Sequence, residues 1–472
     1  MRSYFLLILC SYCFILFAQK APTASLEDII RLAQEKSIRS KLAQTRKQLG
    51  LYQYQVYQSE LKPQISLYGN LPGYSKEFAT VTQPDGTISF EPVQQSLSSF
   101  GIGLVQRIPF TGGEISFNSD LSRFRDVQNK NTLYNGTPIY VRLQQPLLAV
   151  NPLKWQKKIE PLKLKEAELS YPQEMFSLAA DATTLYFEVL QAQNDATMAA
   201  ANEANTEYNY SLEKKRIVLG TTGEDKLLQL ELQVLNSRQQ LQQARYQYEI
   251  SLLALRNLLG VKDTIVYNLI APEKTPELAL TLEEALTLAH TTRPEFVAFE
   301  RKRLEASQQV AEARAARQQV NLVASYGLNR ADPMLSTVYS DPQSQQMFNV
   351  GFNVPIINWG RRQAALNTAE AIQQLTEYTN AIDRQNFDQE IITLYNNLNL
   401  LRRNIALAAT TDTVAARRYE LSNQLYQGGK LSITDLNISQ GEKDAARRSY
   451  ISALRNFWEA WYAFKRVTGW KG

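Results

Sequence analysis

The sequence predicts an α+β protein in which β-strands and very long helices occur twice along one chain. Three observations support this fold class. The N-terminal segment is typical of export, an internal repeat relates the two halves, and in each half the apolar residues change between the spacing of a helix and that of a strand.

The first residues have the composition of a secretory signal. Arg2 supplies a positive charge, Tyr4 to Phe17 form an apolar run, and Ala18 is a small residue suited to cleavage. We therefore expect residues 1–18 to be a signal peptide and the rest of the chain to be exported. No later segment is long and apolar enough to predict a membrane-spanning helix.

The two cysteines, Cys10 and Cys13, lie inside this signal. Leu9 and Tyr12 precede them, and neither is the small residue that lipoprotein processing requires. We expect a mature chain with no disulfide and no lipid anchor.

The charge of the chain is nearly balanced. The net charge is +5 over 472 residues, and basic residues alternate with acidic ones. This pattern does not favour nucleic acid as a partner.

The two halves repeat one another. A shift of 209 positions places residues 181–260 on residues 390–469 without a gap, and 13 of 80 positions are identical. The glycines keep the same separation in each segment, 40 residues from Gly220 to Gly260 and from Gly429 to Gly469. Upstream, Ser25 and Thr281 each precede acidic residues, as helix N-caps do.

Very long helices are predicted in both halves. Arg361 to Gln427 contains neither glycine nor proline, and 67 residues would form a rod about 100 Å long. Gln173 to Leu219 predicts a shorter rod. Such lengths imply coiled-coil packing against neighbouring helices. Residues 262–276, with Pro272 and Pro276, are the predicted linker between the halves.

Between these helices the apolar residues recur with period two, which predicts half-buried strands. The alternating residues are Phe100, Ile102 and Leu104; Ile115 and Phe117; Ile139, Val141 and Leu143; and Val350, Phe352 and Val354. The alternation does not distinguish between lipid and a protein core on the apolar face of the strands. If the chain is in a membrane, an exported chain without a spanning helix can enter the bilayer only as a closed barrel. Four to six strands are too few for one barrel, so strands of other copies would have to complete it.

One segment resembles a known family. Residues 353–362, Asn-Val-Pro-Ile-Ile-Asn-Trp-Gly-Arg-Arg, followed by Ala-Ala-Leu at 364–366, look like the strand-to-helix junction of the TolC-like outer-membrane efflux proteins. Proline ends a strand because it cannot donate to the ladder, tryptophan suits a membrane interface, and glycine permits the turn into the helix. We predict a barrel-to-helix junction at Pro355, Trp359 and Gly360, with Pro146 as the first-half counterpart.

The resemblance covers essentially the whole mature chain and divides it into a first repeat, 19–271, and a second repeat, 272–472. It implies a homotrimer whose strands share one β-barrel in outer-membrane lipid, continuous with an α-helical coiled-coil tunnel across the periplasm of a Gram-negative-type cell. It also implies a passive exit duct that docks a periplasmic adaptor (a membrane fusion protein) and an inner-membrane transporter.

The strand count departs from the plainest family plan, which has two strands per half and twelve per trimer. The stretch from Pro63 to Pro146 is long, and Gly112-Gly113 followed by residues 114–125 predicts an added strand. An extracellular loop excursion is the alternative interpretation.

No pattern typical of an enzyme occurs in the sequence. The only histidine, His290, lies on a predicted helix, and without a mature cysteine a His/Cys metal site cannot form. Residues 428–432 lack the upstream glycine of a phosphate loop and the hydroxyl residue directly after Lys430. We expect no catalysis, no metal and no cofactor, and interpret this segment as a helix-hairpin turn.

The resemblance places function at the turns around Gly220 and Gly429, which in the family form a periplasmic tip that closes at rest. Asp435 matches an acidic position at the aperture, and Ile438 stands where a second acid can follow. The repeat places Lys226 opposite Asp435. The predicted gate residues are Asp435, Glu224, Asp225 and Lys226, and the predicted adaptor-docking residues are Gly220, Leu227, Gly429, Lys430, Leu431 and Leu436.

Two alternatives stay open at this point. The three gate acids can instead be solvated residues at helix starts, where they stabilise the helix dipole. The whole chain can instead be a secreted coiled-coil scaffold or adhesin, which explains the long helices but not strands placed at the same point in each half.

Overall fold

A computed structural model describes residues 23–220, 222–261, 268–316 and 319–470. The predicted signal peptide, residues 1–18, and residues 262–267 of the predicted linker lie outside this range. Among the described helices, none contains a stretch long and apolar enough to cross a membrane.

The elements follow the predicted alternation of helices and strands. In chain order they are β1 Thr23–Ala24, α1 Leu26–Lys36, α2 Ile38–Glu60, β2 Gln64–Thr82, β3 Ile88–Ile108, β4 Gly113–Asp126, β5 Thr132–Pro146, α3 Pro152–Val218, α4 Glu224–Leu259, β6 Asn268–Leu269, α5 Leu282–Thr292, α6 Pro294–Ala315, β7 Gln319–Asp332, α7 Leu335–Ser340, β8 Gln343–Asn353, α8 Arg361–Gln427 and α9 Ile433–Thr468.

The long helices confirm the repeat. α3 and α8 each contain 67 residues, α4 and α9 each contain 36, and both pairs are offset by the 209 positions found in the sequence. Ser25 and Thr281 are the N-caps of α1 and α5, and both form a complete capping box with the acid three residues later.

The predicted start of the first long helix was wrong. α3 begins at Pro152 rather than at Gln173, and it continues through Pro161 and Pro172. An interior proline costs about 3 kcal/mol of helix stability. Packing along α3 outweighs that local cost here, as with Ile159, which is 4% exposed.

The chain forms two compact units, and each repeat contributes to both. Unit 1 contains residues up to Lys47, Leu169–Arg293, and Asn386 onward; unit 2 contains Gln48–Glu168 and Pro294–Gln385.

Unit 1 is held by an aromatic core between helices of the two repeats. Tyr186 and Phe187 of α3 are fully buried with Phe457 and Phe464 of α9. The predicted linker contributes β6, which pairs in parallel with β1, and the Tyr186 hydroxyl donates to the carbonyl of Ile270. Periodicity did not predict this short sheet.

Unit 2 contains one six-stranded antiparallel sheet in the order β2-β3-β4-β5-β7-β8. The four predicted alternating segments are strands β3, β4, β5 and β8. The added strand is confirmed as β4, so that the first repeat supplies four strands and the second supplies two. Asn151, at the start of α3, anchors the β3–β4 turn by donating to the carbonyl oxygens of Pro109 and Phe110 at 2.8 and 3.2 Å.

The register gives the sheet one apolar and one polar face. Residues on the apolar face include Leu67, Ile102, Phe117, Val141, Tyr326 and Phe348. Several of these side chains are exposed in the chain: Leu67 at 66%, Phe348 at 74%. On the polar face the Tyr68 hydroxyl donates to Asp120 at 2.6 Å.

Candidate functional site

Two helix-hairpin tips in unit 1 form the candidate site. The first tip joins α3 to α4 and the second joins α8 to α9. Gly220 and Gly429 have φ of 68° and 72°, a left-handed backbone that ends each long helix and that a side chain would strain. The structure therefore confirms that residues 428–432 form a helix-hairpin turn.

The second tip is closed by a cap that includes the predicted gate acid. Ser432 is the N-cap of α9, and its hydroxyl accepts the backbone N–H of Asp435 at 3.1 Å. The same hydroxyl donates to the Asp435 carboxylate at 2.7 Å. In the single chain, Asp435 thus occupies the helix-start position that the alternative interpretation described, with an exposed side chain.

A buried carboxylate on α3 holds the two tips together. The Glu213 side chain is 5% exposed and accepts hydrogen bonds from Thr222 at 2.6 Å and from Arg216 at 3.0 Å. Arg216 also donates to the carbonyl oxygens of Tyr426 and Gln427 at 3.3 and 3.1 Å. These carbonyls lie in the last turn of α8, where acceptors lack helix partners, so one arginine joins both tips.

The electrostatics of this network favour an ionised Glu213. Burial alone would raise the pKa of its carboxyl, but the hydrogen bonds from Thr222 and Arg216, with the charges of Arg216 and Lys226, lower the pKa below its usual 4.5. Burial, together with the charge of Glu213, raises the pKa of the neighbouring Tyr426 hydroxyl to about 12.

Beside this network lies a cleft of about 450 Å³. Its lining includes Asp225 and Lys226 from the first tip and Gly429 and Leu431 from the second. The structure therefore brings together two of the predicted gate residues, whereas Asp435 is not among the described residues that line the cleft. Glu224 lies exposed in the first turn of α4.

The predicted docking residues divide by exposure. Gly220, Gly429 and Lys430 are exposed, and Leu227 and Leu431 are half-buried. Leu436 is only 1% exposed and packs with Leu230, Tyr426 and Ile433 in an apolar cluster between the tips. Any influence of Leu436 on docking would therefore act through the shape of the tip.

Above the tips, α3 carries a buried polar seam. Asn202, Thr206, Asn209 and Glu213 are spaced at intervals of four, three and four residues, the spacing of coiled-coil core positions, and all are less than 10% exposed. Asn202 donates to the Asp444 carboxylate on α9 at 2.6 Å.

Sequence reasoning missed this seam and the Glu213–Arg216 network. A heptad reading of α3 would have located the polar residues, because asparagine and glutamate rarely occupy core positions without a partner. It also missed Val218 and Leu219, which are 84% and 75% exposed at the end of the first tip.

The predicted junction lies in unit 2. β8 ends at Asn353, just before Pro355, and Gly360 has φ of 80° at the turn into α8, as predicted. Trp359 is 94% exposed and also has a positive φ, 52°. Pro146 is the last residue of β5.

His290 lies exposed on α5, within hydrogen-bond distance of α8. Its Nε2 lies 2.7 Å from the Asp388 carboxylate. Within the described ranges no cluster of potential metal ligands occurs.

The chain thus carries one long helix hairpin in each repeat and one six-stranded sheet. The chain matches the family described as "Outer membrane efflux protein" over residues 30–261 and 285–469, and it belongs to that family. The family comprises outer-membrane efflux channels, which are passive and non-enzymatic, so the predictions of a TolC-like relationship and of no enzymatic activity are confirmed.

Solved structures show the same fold. CusC, solved in a study of its folding and transmembrane channel formation, is 17% identical, with 96% of this chain and 95% of that chain covered and a TM-score of 0.65. The CmeC outer membrane channel of Campylobacter jejuni is 16% identical, with 94% and 85% covered and a TM-score of 0.68. The open MtrE outer membrane channel of Neisseria gonorrhoeae is 16% identical, with 94% and 88% covered and a TM-score of 0.63. No curated protein matches this chain.

Proposed function

We propose that this protein is the trimeric outer-membrane exit duct of a tripartite efflux or secretion system, with a large periplasmic part and no lipid anchor. The observation that carries the proposal is a six-stranded antiparallel sheet whose two edges have no further strand partner among the described residues, in a chain of the efflux family. The duct is passive, so specificity for the exported substrate belongs to the inner-membrane transporter.

The edges of the sheet support closure by neighbouring copies. Within the described chain, β2 and β8 each have one strand neighbour. β2 runs away from the helices and β8 runs back toward them, so β2 of one copy can lie antiparallel to β8 of the next. Unpaired edges cannot remain in lipid. Three copies of six strands give an eighteen-stranded barrel, wider than one of twelve because barrel diameter grows with strand number.

The apolar face of the sheet is the proposed lipid surface. Every strand contributes apolar side chains to the end nearer the helices, for example Ile65 on β2, Leu104 on β3 and Phe352 on β8. Transmembrane barrels place an apolar band outward and polar residues inward. Trp359, exposed at the junction, would lie at the periplasmic membrane interface.

The tips are the proposed docking and gating end. Val218 and Leu219 at the end of the first long helix and Leu228 on α4 are exposed apolar residues, Leu228 at 53%, and such residues suit the docking of a helical periplasmic adaptor. The adaptor would connect the duct to the inner-membrane transporter. In the trimer, Asp435, Glu224, Asp225 and Lys226 would each form a ring of three charges at the aperture.

Cross-linking tests the shared barrel. No cysteine occurs beyond Cys13, so a Leu67→Cys, Phe348→Cys variant carries reactive thiols only on β2 and β8. A short bis-maleimide should convert the membrane-inserted protein into covalent dimers and trimers on a denaturing gel.

The matched control places both thiols inside the sheet. Phe117 and Val141 are register partners on β4 and β5, so a Phe117→Cys, Val141→Cys variant should cross-link only within one chain. If the edge variant conducts in planar bilayers but stays monomeric after cross-linking, the shared barrel is wrong.

A further inference from the structure

A group of basic residues lies on the apolar face of the sheet, between the apolar band nearer the helices and the exposed Phe78, Ile88 and Phe90 nearer the β2–β3 turn. Pairing places Lys76 of β2 opposite Gln94 of β3, and places Arg125 and Arg123 of β4 opposite Ser96 and Ser98. Directly paired residues share a face. Ser96, Ser98 and Gln94 lie on the same face as Phe100 and Ile102, because β3 pairs without a register shift in this stretch.

The three cations form one exposed patch, defined here as the basic patch. Arg123 and Arg125 are two residues apart, about 7 Å along the strand, and Lys76 lies two strands away and two residues beyond the level of Arg125, about 12 Å from it. All three side chains are exposed.

The charge of the basic patch has no counter-charge on its own strands. On this face, the described residues of β2, β3 and β4 beyond the apolar band are hydroxyl, amide, aromatic and aliphatic residues besides these three cations. Glu77 and Asp126 occupy the opposite face, since they pair with Val93 and Gln95. Like charges placed together on an exposed sheet repel unless an anion lies between them.

The second repeat provides a contrast nearer the helices, where the strand pairs place Arg330 level with Leu121 and place Asp332 level with Arg123. Arg330 of β7 also lies on the apolar face, but it forms ion pairs with Asp341 and with Asp332, the latter at 3.7 Å. Its charge is therefore neutralised by neighbouring acids, whereas no ion pair of Lys76, Arg123 or Arg125 occurs among the residues that the structure describes.

The position of the basic patch identifies its ligand. The strands join the helices at their other end, so the basic patch lies toward the hairpin end, beyond the apolar band nearer the helices. If the sheet crosses the outer membrane as proposed above, this level coincides with the headgroups of the outer leaflet. We propose that Lys76, Arg123 and Arg125 bind phosphate groups of the anionic glycolipid of that leaflet, with the serine hydroxyls of Ser96 and Ser98 as additional donors.

Binding to the purified trimer in nanodiscs tests this proposal. The probes are bis-phosphorylated lipid A, its dephosphorylated form, and inorganic phosphate. Each basic residue near an anionic surface contributes about fivefold to binding. A Lys76→Gln, Arg123→Gln, Arg125→Gln variant should therefore bind lipid A roughly a hundredfold more weakly. Wild type should prefer the phosphorylated lipid, and inorganic phosphate should compete only weakly.

Two controls separate charge from folding and from the proposed duct. Arg142→Gln removes a cation from the opposite face of the same sheet, where Arg142 pairs with Ser116, and should leave lipid A binding unchanged. An Arg123→Lys, Arg125→Lys variant should retain most of the binding even if the triple variant fails to assemble.

Equal binding of phosphorylated and dephosphorylated lipid, or equal binding by wild type and the triple variant, would overturn the proposal. If millimolar inorganic phosphate displaces bound lipid A as strongly as free lipid A does, the basic patch is a simple anion site rather than a lipid site. If the protein forms a conducting trimer that shows no preference for phosphorylated lipid, only this inference is wrong. If the protein never forms a trimer, the proposed duct is wrong instead.

Discussion

The two ends of unit 1 use the same helices but different chemistry. Toward one end, α3 and α9 bury aromatic rings, with Phe187 and Phe464 at 0% exposure. Toward the tips, the same two helices bury polar groups, with Asn202 on Asp444 and Glu213 on Arg216. Apolar contacts stabilise the packing of helices without a preferred direction. Polar contacts fix one register between two helices, and separating them costs little free energy because water replaces the lost hydrogen bonds. The difference teaches that packed rings hold the aromatic end, whereas the tip combines a small apolar cluster with polar contacts that fix the register of its helices.

The largest effect is expected at the aromatic end. Phe464→Ala should lower the free energy of unfolding by about 3 to 5 kcal/mol, because it leaves a cavity that neighbouring rings cannot fill. Thermal unfolding of the solubilised protein, followed by helical circular dichroism, measures the change. Phe464→Leu keeps most of the volume and should cost less than about 1.5 kcal/mol. Equal losses for the two variants would show that packing volume is not what stabilises this end.

A smaller effect is expected at the tip. Glu213→Gln removes the charged acceptor of Thr222 and Arg216, and should cost about 1 to 3 kcal/mol. Arg216 keeps its two carbonyl acceptors on α8, which limits the loss. The variant should also open more readily, seen as a higher resting conductance in planar bilayers. Glu231→Gln, an exposed change on α4, is the matched control and should alter neither quantity.

The pH dependence of the tip has a definite sign. The folded pKa of Glu213 is lowered, so its stabilisation is fully present above the ordinary glutamate value of 4.5 and is lost as the pH falls through the lowered folded pKa. The stability difference between wild type and Glu213→Gln should therefore be constant near neutrality and shrink below pH 4.5. A difference that grows on acidification would contradict an ionised Glu213.

Sequence alone predicted the parts of the fold that depend on local pattern. The glycines at 220, 260, 429 and 469, the caps at Ser25 and Thr281, and the added strand β4 all follow from residue type and spacing. The start of α3 was not predictable from local rules, because Pro161 and Pro172 locally disfavour a helix. Only long-range packing stabilises the helix through these two prolines.

The candidate site was predicted less completely than the fold. The turns were located, but the pairing of Glu213 with Thr222 spans 9 residues and that of Arg216 with the α8 carbonyls spans 210 and 211 residues. No spacing rule relates residues so far apart. The burial of Leu436 likewise depends on Leu230 and Tyr426 of other helices.

The smallest effect on stability is expected at Asp435, where the two interpretations of the tip separate. Its carboxylate contacts only the exposed N-cap Ser432 among the described side-chain hydrogen bonds, so Asp435→Ala should cost about 1 kcal/mol or less. If three copies surround the aperture, the same change should lower cation selectivity and weaken block by divalent cations from the periplasmic side, because a ring of carboxylates concentrates cations. Ser432→Ala is the decisive companion: it removes the cap hydroxyl and keeps the charge, so it should reproduce the loss of stability but not the loss of selectivity. Planar-bilayer recordings of both variants measure the distinction. Unchanged selectivity and block in Asp435→Ala would assign this acid to helix capping alone and move the gate to the cleft formed by Asp225 and Lys226.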